Sequence, residues 1–203
     1  MPVTLDDFMK RDLIAVVDIE TTGFSHQEDC VIEIGVCELD LDSGARRELF
    51  NHVIRENHFS THHRNAWIFK NSDLRYEDIL DAKPLNVYKK KLQRIFNIYP
   101  ATAFNKRFDF DFLKDRGFLI KELPCPMITA TDILKLPPKK SGTLYKWPTV
   151  EEAWKFFFPH KVYVEKHRSY DDSVHEALII LELYKGNNWK PIIEIKNNSL
   201  YPR

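Results

Sequence analysis

Leu13-Ile-Ala-Val-Val-Asp-Ile-Glu-Thr-Thr-Gly23 is the stretch of this 203-residue chain that decides the fold. Its first half, Leu13 to Asp18, is apolar on both faces, which predicts a central strand covered on both sides. The segment from Thr21 to Gly23 is a turn signal. A strand of this kind needs other layers against both of its faces, so the stretch favours an α/β fold.

Hydrophobic periodicity and turn residues predict the other elements on either side of Pro100. Before it, the pattern predicts strands at Val31–Asp40 and Arg46–Ile54, joined by a hairpin around Asp42-Ser-Gly44, and helices from Thr61 to Gln93 broken at Pro84. From Tyr99 onward, we expect a strand at Tyr99–Phe104, a helix from Asn105 to Gly117 and a short strand at Met127–Ala130. Three further helices are predicted. The first ends before Pro137, the second begins at Thr149 and Glu152 and ends at Pro159, and the third spans Ser169–Tyr184. This order predicts a mixed β-sheet with helices on both faces, in a domain of residues 1–186 followed by a C-terminal tail of residues 187–203.

The composition narrows the class of protein. Thirty basic and thirty acidic residues cancel, which argues against binding nucleic acid by bulk positive charge alone. No apolar run approaches the roughly 20 residues of a membrane span, and the acidic N-terminus lacks the layout of a signal peptide. The three cysteines are odd in number and have no CxxC spacing, so they predict free thiols and a cytoplasmic protein without a membrane partner.

Asp18 and Glu20 lie two residues apart at the end of the first predicted strand. Side chains alternate along a strand, so both carboxylates point to the same side. Crowded carboxylates repel each other unless cations lie between them, and oxygen ligands of this kind suit Mg²⁺ or Mn²⁺. An isolated Asp-x-Glu pair is nevertheless more often an exposed strand end, so the pair by itself leaves both interpretations open.

Asp109 falls one turn into the helix predicted after Asn105. An acid near a helix N-terminus can simply interact with the helix dipole, and spacing alone does not separate Asp109 from Asp111. Phe108 to Phe112 alternates strictly and could form a strand. The helix is preferred because Asn105 is a good N-cap residue and because Phe108 and Phe112 share a helical face.

Asp172 also has two interpretations. Ser169-Tyr-Asp-Asp172 is a capping-box pattern, so Asp172 could cap its own helix, and Asp171 competes for either role. His167 lies five residues earlier and would not share a helical face with Asp172 at about 3.6 residues per turn. The two side chains can therefore converge only if His167 belongs to the preceding loop.

Three segments taken together resemble the exonuclease motifs of the DEDDh family, which has a ribonuclease H-like fold and includes polymerase proofreading subunits and ribonuclease T. The segments are Val17-Asp-Ile-Glu-Thr-Thr-Gly23, Phe104-Asn-Lys-Arg-Phe-Asp109 and His167-Arg-Ser-Tyr-Asp-Asp172. They occur in the family's order and the resemblance spans roughly Leu13 to Tyr184. Two positions depart from the family pattern. Ser169 stands two residues after His167, where many members have another small residue, and this departure is mild. Phe24 stands where an aliphatic residue commonly follows the glycine.

The resemblance implies a role for each matched residue. Asp18, Glu20, Asp109 and Asp172 match the ligands of two divalent cations, Mg²⁺ or Mn²⁺, and Asp109 is thereby preferred to Asp111. His167 matches the general base that takes a proton from the attacking water. The remaining implied contacts are to the terminal nucleotide, from Thr21, Thr22 and Phe24, with Asn105 and Phe108 in support.

The expected reaction is stepwise 3′–5′ hydrolysis of single-stranded nucleic acid to nucleoside 5′-monophosphates. Unpaired ends are expected because the terminal phosphate has to reach buried cations and aromatic side chains can stack on bases. DNA is preferred to RNA, since Asp18-Ile-Glu-Thr-Thr-Gly23 is most similar to proofreading members. The alternatives are an RNA or oligoribonucleotide exonuclease and a non-catalytic nucleic-acid-binding module of the same fold.

Basic and aromatic residues elsewhere give weaker signals. Lys106 and Arg107 adjoin Asp109 and are the best placed cations for phosphate contact. The segment Trp154 to Tyr163 interleaves aromatic and basic residues, but core packing of its helix is the preferred interpretation.

Overall fold

A four-stranded sheet forms the centre of the described residues, which in this computed structural model are 12–138 and 144–194. Residues 1–11, 139–143 and 195–203, including the N-terminus discussed above and the end of the predicted tail, lie outside that description. The strands are β1 (Leu13–Thr21), β2 (Val31–Asp40), β3 (Arg46–Val53) and β4 (Ala101–Thr102), in the order β3-β2-β1-β4. β1 pairs antiparallel with β2 and parallel with β4, so the sheet is mixed, as predicted.

Helices occupy most of the remaining described chain. A 3₁₀ turn at Thr61–Asn65 is followed by α1 (Ile68–Asn71), α2 (Tyr76–Asp81), α3 (Leu85–Ile98), α4 (Lys106–Asp115), α5 (Pro126–Leu134), α6 (Val150–Phe157) and α7 (Ser169–Lys185). None of the helices in residues 12–138 and 144–194 is both long enough and apolar enough to cross a bilayer.

The two faces of β1 pack into two separate hydrophobic cores. Ala15, Val17 and Ile19 contribute to a core shared with α3 and α4, whereas Ile14 and Val16 contribute to a core shared with α5, α6 and α7. Strict alternation along the strand sends neighbouring side chains to opposite sides. The prediction of helices on both faces of the sheet is therefore confirmed, and it explains why β1 carries almost no polar residue before Asp18.

The strand predicted at Met127–Ala130 is wrong, because these residues lie within α5. Pro126 occupies the first turn of that helix, where its missing N–H is no disadvantage. The backbone N–H of Met127 donates to the carbonyl of Phe104 over 3.1 Å. A short apolar run does not distinguish a buried strand from a buried helix segment. β4 is also shorter than predicted, with two residues in place of the six from Tyr99 to Phe104.

Two local predictions about helices are confirmed. The alternating residues from Phe108 to Phe112 lie in α4, and α6 begins with a reciprocal capping box. In that box the backbone N–H of Glu152 donates to Thr149 Oγ1 over 3.2 Å, and the Thr149 N–H donates to Glu152 Oε2 over 2.8 Å. Trp154 on the same helix is buried in the second core, in agreement with the packing interpretation.

The described part of the chain after Gly186 packs against the sheet domain. Trp189 is buried, and its indole Nε1–H donates to the carbonyl of Pro124 over 3.0 Å. The Glu194 N–H donates to the carbonyl of Glu122 over 2.8 Å, and the Glu194 carboxylate pairs with Lys106. This segment therefore contributes to the packing around α4, while the domain boundary placed at residue 186 stays a prediction.

Candidate active site

Asp18 and Glu20 lie on the face of β1 that packs against α7. They continue the alternation of Ile14 and Val16, and their partners across the antiparallel ladder are Gly35 and Glu33. The register shifts between Glu20 and Thr21, which ends the regular pairing just after the second acid. The sheet thus delivers both carboxylates to one place at the end of β1, as their spacing predicts.

Asp109 brings a third carboxylate to this place from the first turn of α4. It is buried, with 4% of its surface exposed. Asp111, the competing acid, is instead close to two surface cations, with Oδ1 at 3.4 Å from Lys114 Nζ and Oδ2 at 3.7 Å from Arg107 Nε. The structure therefore separates two acids that sequence spacing could not.

Asp172 lies in the first turn of α7, but the capping box predicted over Ser169–Asp172 is wrong, because Arg168 is the N-cap residue and the Ser169 N–H donates to Glu33. The Asp172 Oδ2 accepts the backbone N–H of Arg168 over 3.0 Å. Its Oδ1 is buried and has no hydrogen-bond partner among the described residues. A buried, unpartnered carboxylate oxygen is costly unless a cation or another donor reaches it.

His167 comes from the loop before α7, as its convergence with Asp172 requires. Its backbone is in the left-handed region, with φ of 50°, immediately before Arg168 at the helix N-cap. One ligand atom each of His167, Glu20 and Asp172 lie within 4.8 Å of one another. The imidazole also lies edge-on to Trp67, with ring centroids 4.8 Å apart.

Glu176 is a further acid at this site that the sequence analysis missed. It lies one helical turn after Asp172 on α7, 4% exposed, and its Oε2 accepts the backbone N–H of Phe104 over 3.1 Å. The spacing of four residues from Asp172 was a usable signal, because such residues share a helical face. The Tyr163 hydroxyl is a second missed group, since it is buried without a partner among the described residues.

Burial and mutual repulsion raise the pKa values of these carboxyl groups. Burial raises the pKa of Glu20 to about 9, with a further contribution from Asp172, and raises that of Asp109 to about 8. Asp18 is raised well above its ordinary pKa, first by burial and then by Glu176, Glu20, Asp109 and Asp172. The largest charge interactions with Asp18 and Glu20 all come from other acids, so the charged form of both carboxyl groups is disfavoured.

The donor set fits divalent cations that prefer oxygen ligands. Asp18, Glu20, Asp109 and Asp172 offer carboxylate oxygens, and the unpartnered Asp172 Oδ1 is available as a ligand. Hard cations such as Mg²⁺ and Mn²⁺ would relieve the repulsion that raises the carboxyl pKa values.

The raised carboxyl pKa values predict that metal-free protein loses stability as the pH rises. Between about pH 4, the ordinary carboxyl pKa, and about pH 9, the value for Glu20, these acids bind more protons in the folded state than in the unfolded chain. Their contribution to the free energy of unfolding therefore falls with rising pH over this window. Thermal melting in EDTA should show a Tm that decreases from pH 5 to pH 8, and Mg²⁺ should raise Tm more at pH 8 than at pH 5. A Tm in EDTA that increases across this range would contradict the crowded-acid description.

The loop after β1 carries the residues expected to contact a nucleotide. Thr21 Oγ1–H donates to the carbonyl of Gly23 over 2.6 Å, and Thr22 Oγ1 accepts the Cys30 N–H over 2.9 Å. Phe24 projects into solvent with 91% of its surface exposed and lies edge-on to Phe108, with ring centroids 6.2 Å apart.

A cleft of about 300 Å³ lies beside this aromatic pair. Its lining includes the predicted residues Phe24, Asn105 and Phe108, and also Arg107 and Trp147, of which Trp147 was not foreseen. Asn105 occupies the N-cap position of α4, but its side chain makes no capping hydrogen bond. Lys106 points away into a buried pairing with Glu122 and Glu194, so it is not placed for phosphate contact.

Arg116, at the C-terminal end of α4, holds the loop after β1 in place. Its Nε and Nη2 donate to the two carboxylate oxygens of Glu56 over 2.7 and 2.8 Å. Nη2 also donates to the carbonyl of Asp29 over 2.7 Å, and Nη1 donates to the carbonyl of His26. Hydrogen bonds from Arg116 therefore connect the helix that carries Asp109 directly to the loop that carries Phe24.

A mixed sheet with helices on both faces and clustered acids from β1, α4 and α7 defines a nuclease with a ribonuclease H-like fold. A sequence model of the RNase_T family, described as "Exonuclease", matches residues 15–180. The chain belongs to this exonuclease family.

Solved structures support the same fold. The nuclease domain of 3′hExo, a DEDDh family member bound to rAMP, is 14% identical over 92% of this chain and 98% of that one, with a TM-score of 0.68. E. coli Exonuclease I in complex with a dA16 oligonucleotide is 10% identical over 85% of this chain and 41% of that one, with a TM-score of 0.60. Cell-death related nuclease 4 (CRN-4) is 13% identical over 86% of this chain and 64% of that one, with a TM-score of 0.59.

The chain spans less than two thirds of the length of CRN-4 and of a full-length 3′-exonuclease that it also resembles, at 64% and 62%. The full-length 3′-exonuclease is 13% identical over 88% of this chain, with a TM-score of 0.65. No curated protein matches the chain by sequence.

Proposed function

We propose that this protein hydrolyses single-stranded nucleic acid from the 3′ end and releases nucleoside 5′-monophosphates. The observation that carries the proposal is the convergence of acids from three separate elements with one histidine. Glu20, His167 and Asp172 meet within 4.8 Å, and Asp18 and Asp109 are near enough to Glu20 for their charges to interact. Asp18, Glu20, Asp109 and Asp172 would hold two divalent cations, Mg²⁺ or Mn²⁺.

In this mechanism the protein's own groups position the water and the terminal phosphodiester. His167 accepts a proton from the attacking water, and imidazole is the side chain suited to proton transfer near neutral pH. Water oxygen bonds to phosphorus, the bond from phosphorus to the 3′ oxygen of the preceding nucleotide breaks, and that oxygen takes up a proton. The cations, when bound, supply Lewis-acid activation of the water and stabilise the charge on the leaving oxygen.

The terminal nucleotide would lie against the loop after β1. Thr21, Thr22 and Phe24 would line it, and Asn105 and Phe108 would support it from α4. The cleft beside Phe24 adds an exposed guanidinium from Arg107 and a second aromatic platform from Trp147, 61% exposed. Stacking on aromatic faces holds unpaired bases with little sequence preference, and a cation nearby favours the phosphate backbone.

DNA is the preferred polymer because the Asp18-Ile-Glu-Thr-Thr-Gly23 motif is most similar to proofreading exonucleases. Two structurally similar proteins hold different kinds of nucleotide, since 3′hExo is bound to the ribonucleotide rAMP and Exonuclease I to the deoxyribonucleotide oligomer dA16. An RNA or oligoribonucleotide exonuclease is therefore the second candidate. A non-catalytic binding module is the third, and the filled acid positions argue against it. The cytoplasmic location expected from the cysteines also stays a prediction.

A time course on 5′-labelled single-stranded DNA and RNA of the same sequence tests the proposal. Wild type and Asp18→Ala would be compared in Mg²⁺, in Mn²⁺ and in EDTA. The expected result is a ladder that shortens from the 3′ end only with metal and only in wild type, with the faster polymer identifying the substrate. Absence of cleavage under every condition would reject the enzyme and leave the binding module.

A further inference from the structure

Arg168, the residue after His167, is half-buried and forms a forked ion pair with the buried carboxylate of Glu33 on β2. Its Nε lies 3.1 and 3.2 Å from Glu33 Oε1 and Oε2, and its Nη2 donates to Oε1 over 2.6 Å. Glu33 is 1% exposed, and its Oε2 also accepts the backbone N–H of Ser169 over 2.9 Å. One carboxylate thus holds both the side chain of Arg168 and the backbone after it.

This ion pair fixes the backbone on the C-terminal side of His167. The Arg168 N–H is held by Asp172 Oδ2 over 3.0 Å, while the Arg168 Nη1 donates to Asp73 Oδ1 over 3.0 Å. A non-glycine residue with positive φ is strained, so the loop needs surrounding contacts to keep His167 at φ of 50°. Glu33 is also the ladder partner of Glu20, so the pair is anchored beside the acids themselves.

We infer that the Arg168–Glu33 pair is a positioning device for His167, which holds the imidazole in its strained loop conformation against Glu20 and Asp172. The inference rests on the proposed role of His167 as the base. A forked guanidinium–carboxylate pair restrains orientation as well as distance, which a single ammonium contact does not. Arg168 and Glu33 act through His167 and touch no reacting atom.

Arg168→Lys is the variant that tests this inference, because it keeps the charge and removes the fork. We expect kcat to fall between about tenfold and a hundredfold, since a small misplacement of a catalytic group has effects of this size. KM should change by less than about twofold, since neither Arg168 nor Glu33 lines the nucleotide cleft. Glu33→Gln, which keeps the shape of the buried partner, should give the same pattern if the lysine variant folds poorly.

The chain offers a matched control on the same strand. Glu38, also on β2, forms a forked pair with Arg47, with Arg47 Nε to Oε1 at 3.0 Å and Nη2 to Oε2 at 2.7 Å. Glu38→Gln and Arg47→Lys remove an equivalent pair away from the acids. Both should leave kcat within about twofold of wild type.

A double-mutant cycle separates positioning from a general structural role. In a His167→Ala background, Arg168→Lys should lower kcat by less than about twofold, because the group that it positions is gone. If Arg168→Lys lowered kcat by the same factor in the His167→Ala background as in wild type, the inference would be overturned. A wild-type kcat in both Arg168→Lys and Glu33→Gln would also overturn it. Full activity of His167→Ala alone would instead reject the base assignment in the proposed function, so the two failures are distinguishable.

Discussion

Asp109→Asn should lower kcat by at least about a thousandfold, or about 4 kcal/mol of transition-state stabilisation, while Asp111→Asn changes it by less than about twofold. Both acids lie on α4, and the two substitutions make the same chemical change. Asp109 is buried among the other acids, whereas Asp111 is close to Lys114 and Arg107 at the surface. Steady-state kinetics on a labelled oligonucleotide in saturating Mn²⁺ provide the comparison.

The same Asp109 variant should gain stability when metal is absent. Burial raises the pKa of Asp109 to about 8, so its charged form is disfavoured in the folded state and a neutral amide removes that cost. A higher Tm in EDTA together with lost activity is the pattern of an acid retained for function. Equal activity losses in Asp109→Asn and Asp111→Asn, or a lower Tm for Asp109→Asn, would contradict its placement in the cation site.

Gly35→Ala should destabilise the protein by about 1–3 kcal/mol, the range for forcing extra atoms into a packed interior, and should lower kcat in the surviving folded fraction. A Cβ atom at Gly35 would lie 2.3 Å from the carbonyl carbon of Ser169 and from the nitrogen of Tyr170. Both are backbone atoms in the first turn of α7, so the clash cannot be relieved by rotating a side chain. Displacing this turn would move Asp172 away from Asp18, which pairs with Gly35 in the ladder.

Gly186→Ala, at the other end of α7, is the matched control for Gly35→Ala. Its added Cβ would meet the side-chain nitrogen of Asn188 at 2.7 Å, which can move away, and the Glu182 carbonyl oxygen at 3.3 Å, a much looser backbone contact than the 2.3 Å at Gly35. Urea denaturation should show a clear loss for Gly35→Ala and little for Gly186→Ala, and oligonucleotide assays should follow the same order. Wild-type stability and activity in Gly35→Ala would contradict this prediction, because α7 could then move away from β2 without loss of stability or activity.

Predictions that depended on short-range periodicity were the ones the structure confirmed. The apolar run before Asp18 predicts a strand covered on both faces, and the alternation that places Ile14 and Val16 in one core also places Asp18 and Glu20 on that side. Thr149 and Glu152 predict a helix start because each satisfies a donor on the other. In each case the decisive contacts lie within a few residues along the chain.

Features that depend on distant partners were missed or misread. Lys106 is a plausible phosphate contact from its sequence neighbours, but its cation is neutralised by Glu194, 88 residues away. Met127–Ala130 forms a helix in contact with Phe104, which an apolar run of four residues does not reveal. The base role proposed for His167 rests on resemblance, because the sequence near His167 does not reveal that its neighbour Arg168 pairs with Glu33, 135 residues away.

Arg116 restrains the loop after β1 through hydrogen bonds, and this restraint affects the entropy of substrate binding. A loop that becomes ordered only around its ligand loses conformational freedom at that moment, and this loss weakens the complex. Here the carbonyls of His26 and Asp29 are held by the same guanidinium that grips Glu56 before any nucleotide arrives. If the terminal base binds at this loop as proposed, its binding surface is ordered in advance, and even a dinucleotide should bind with little loss of loop entropy.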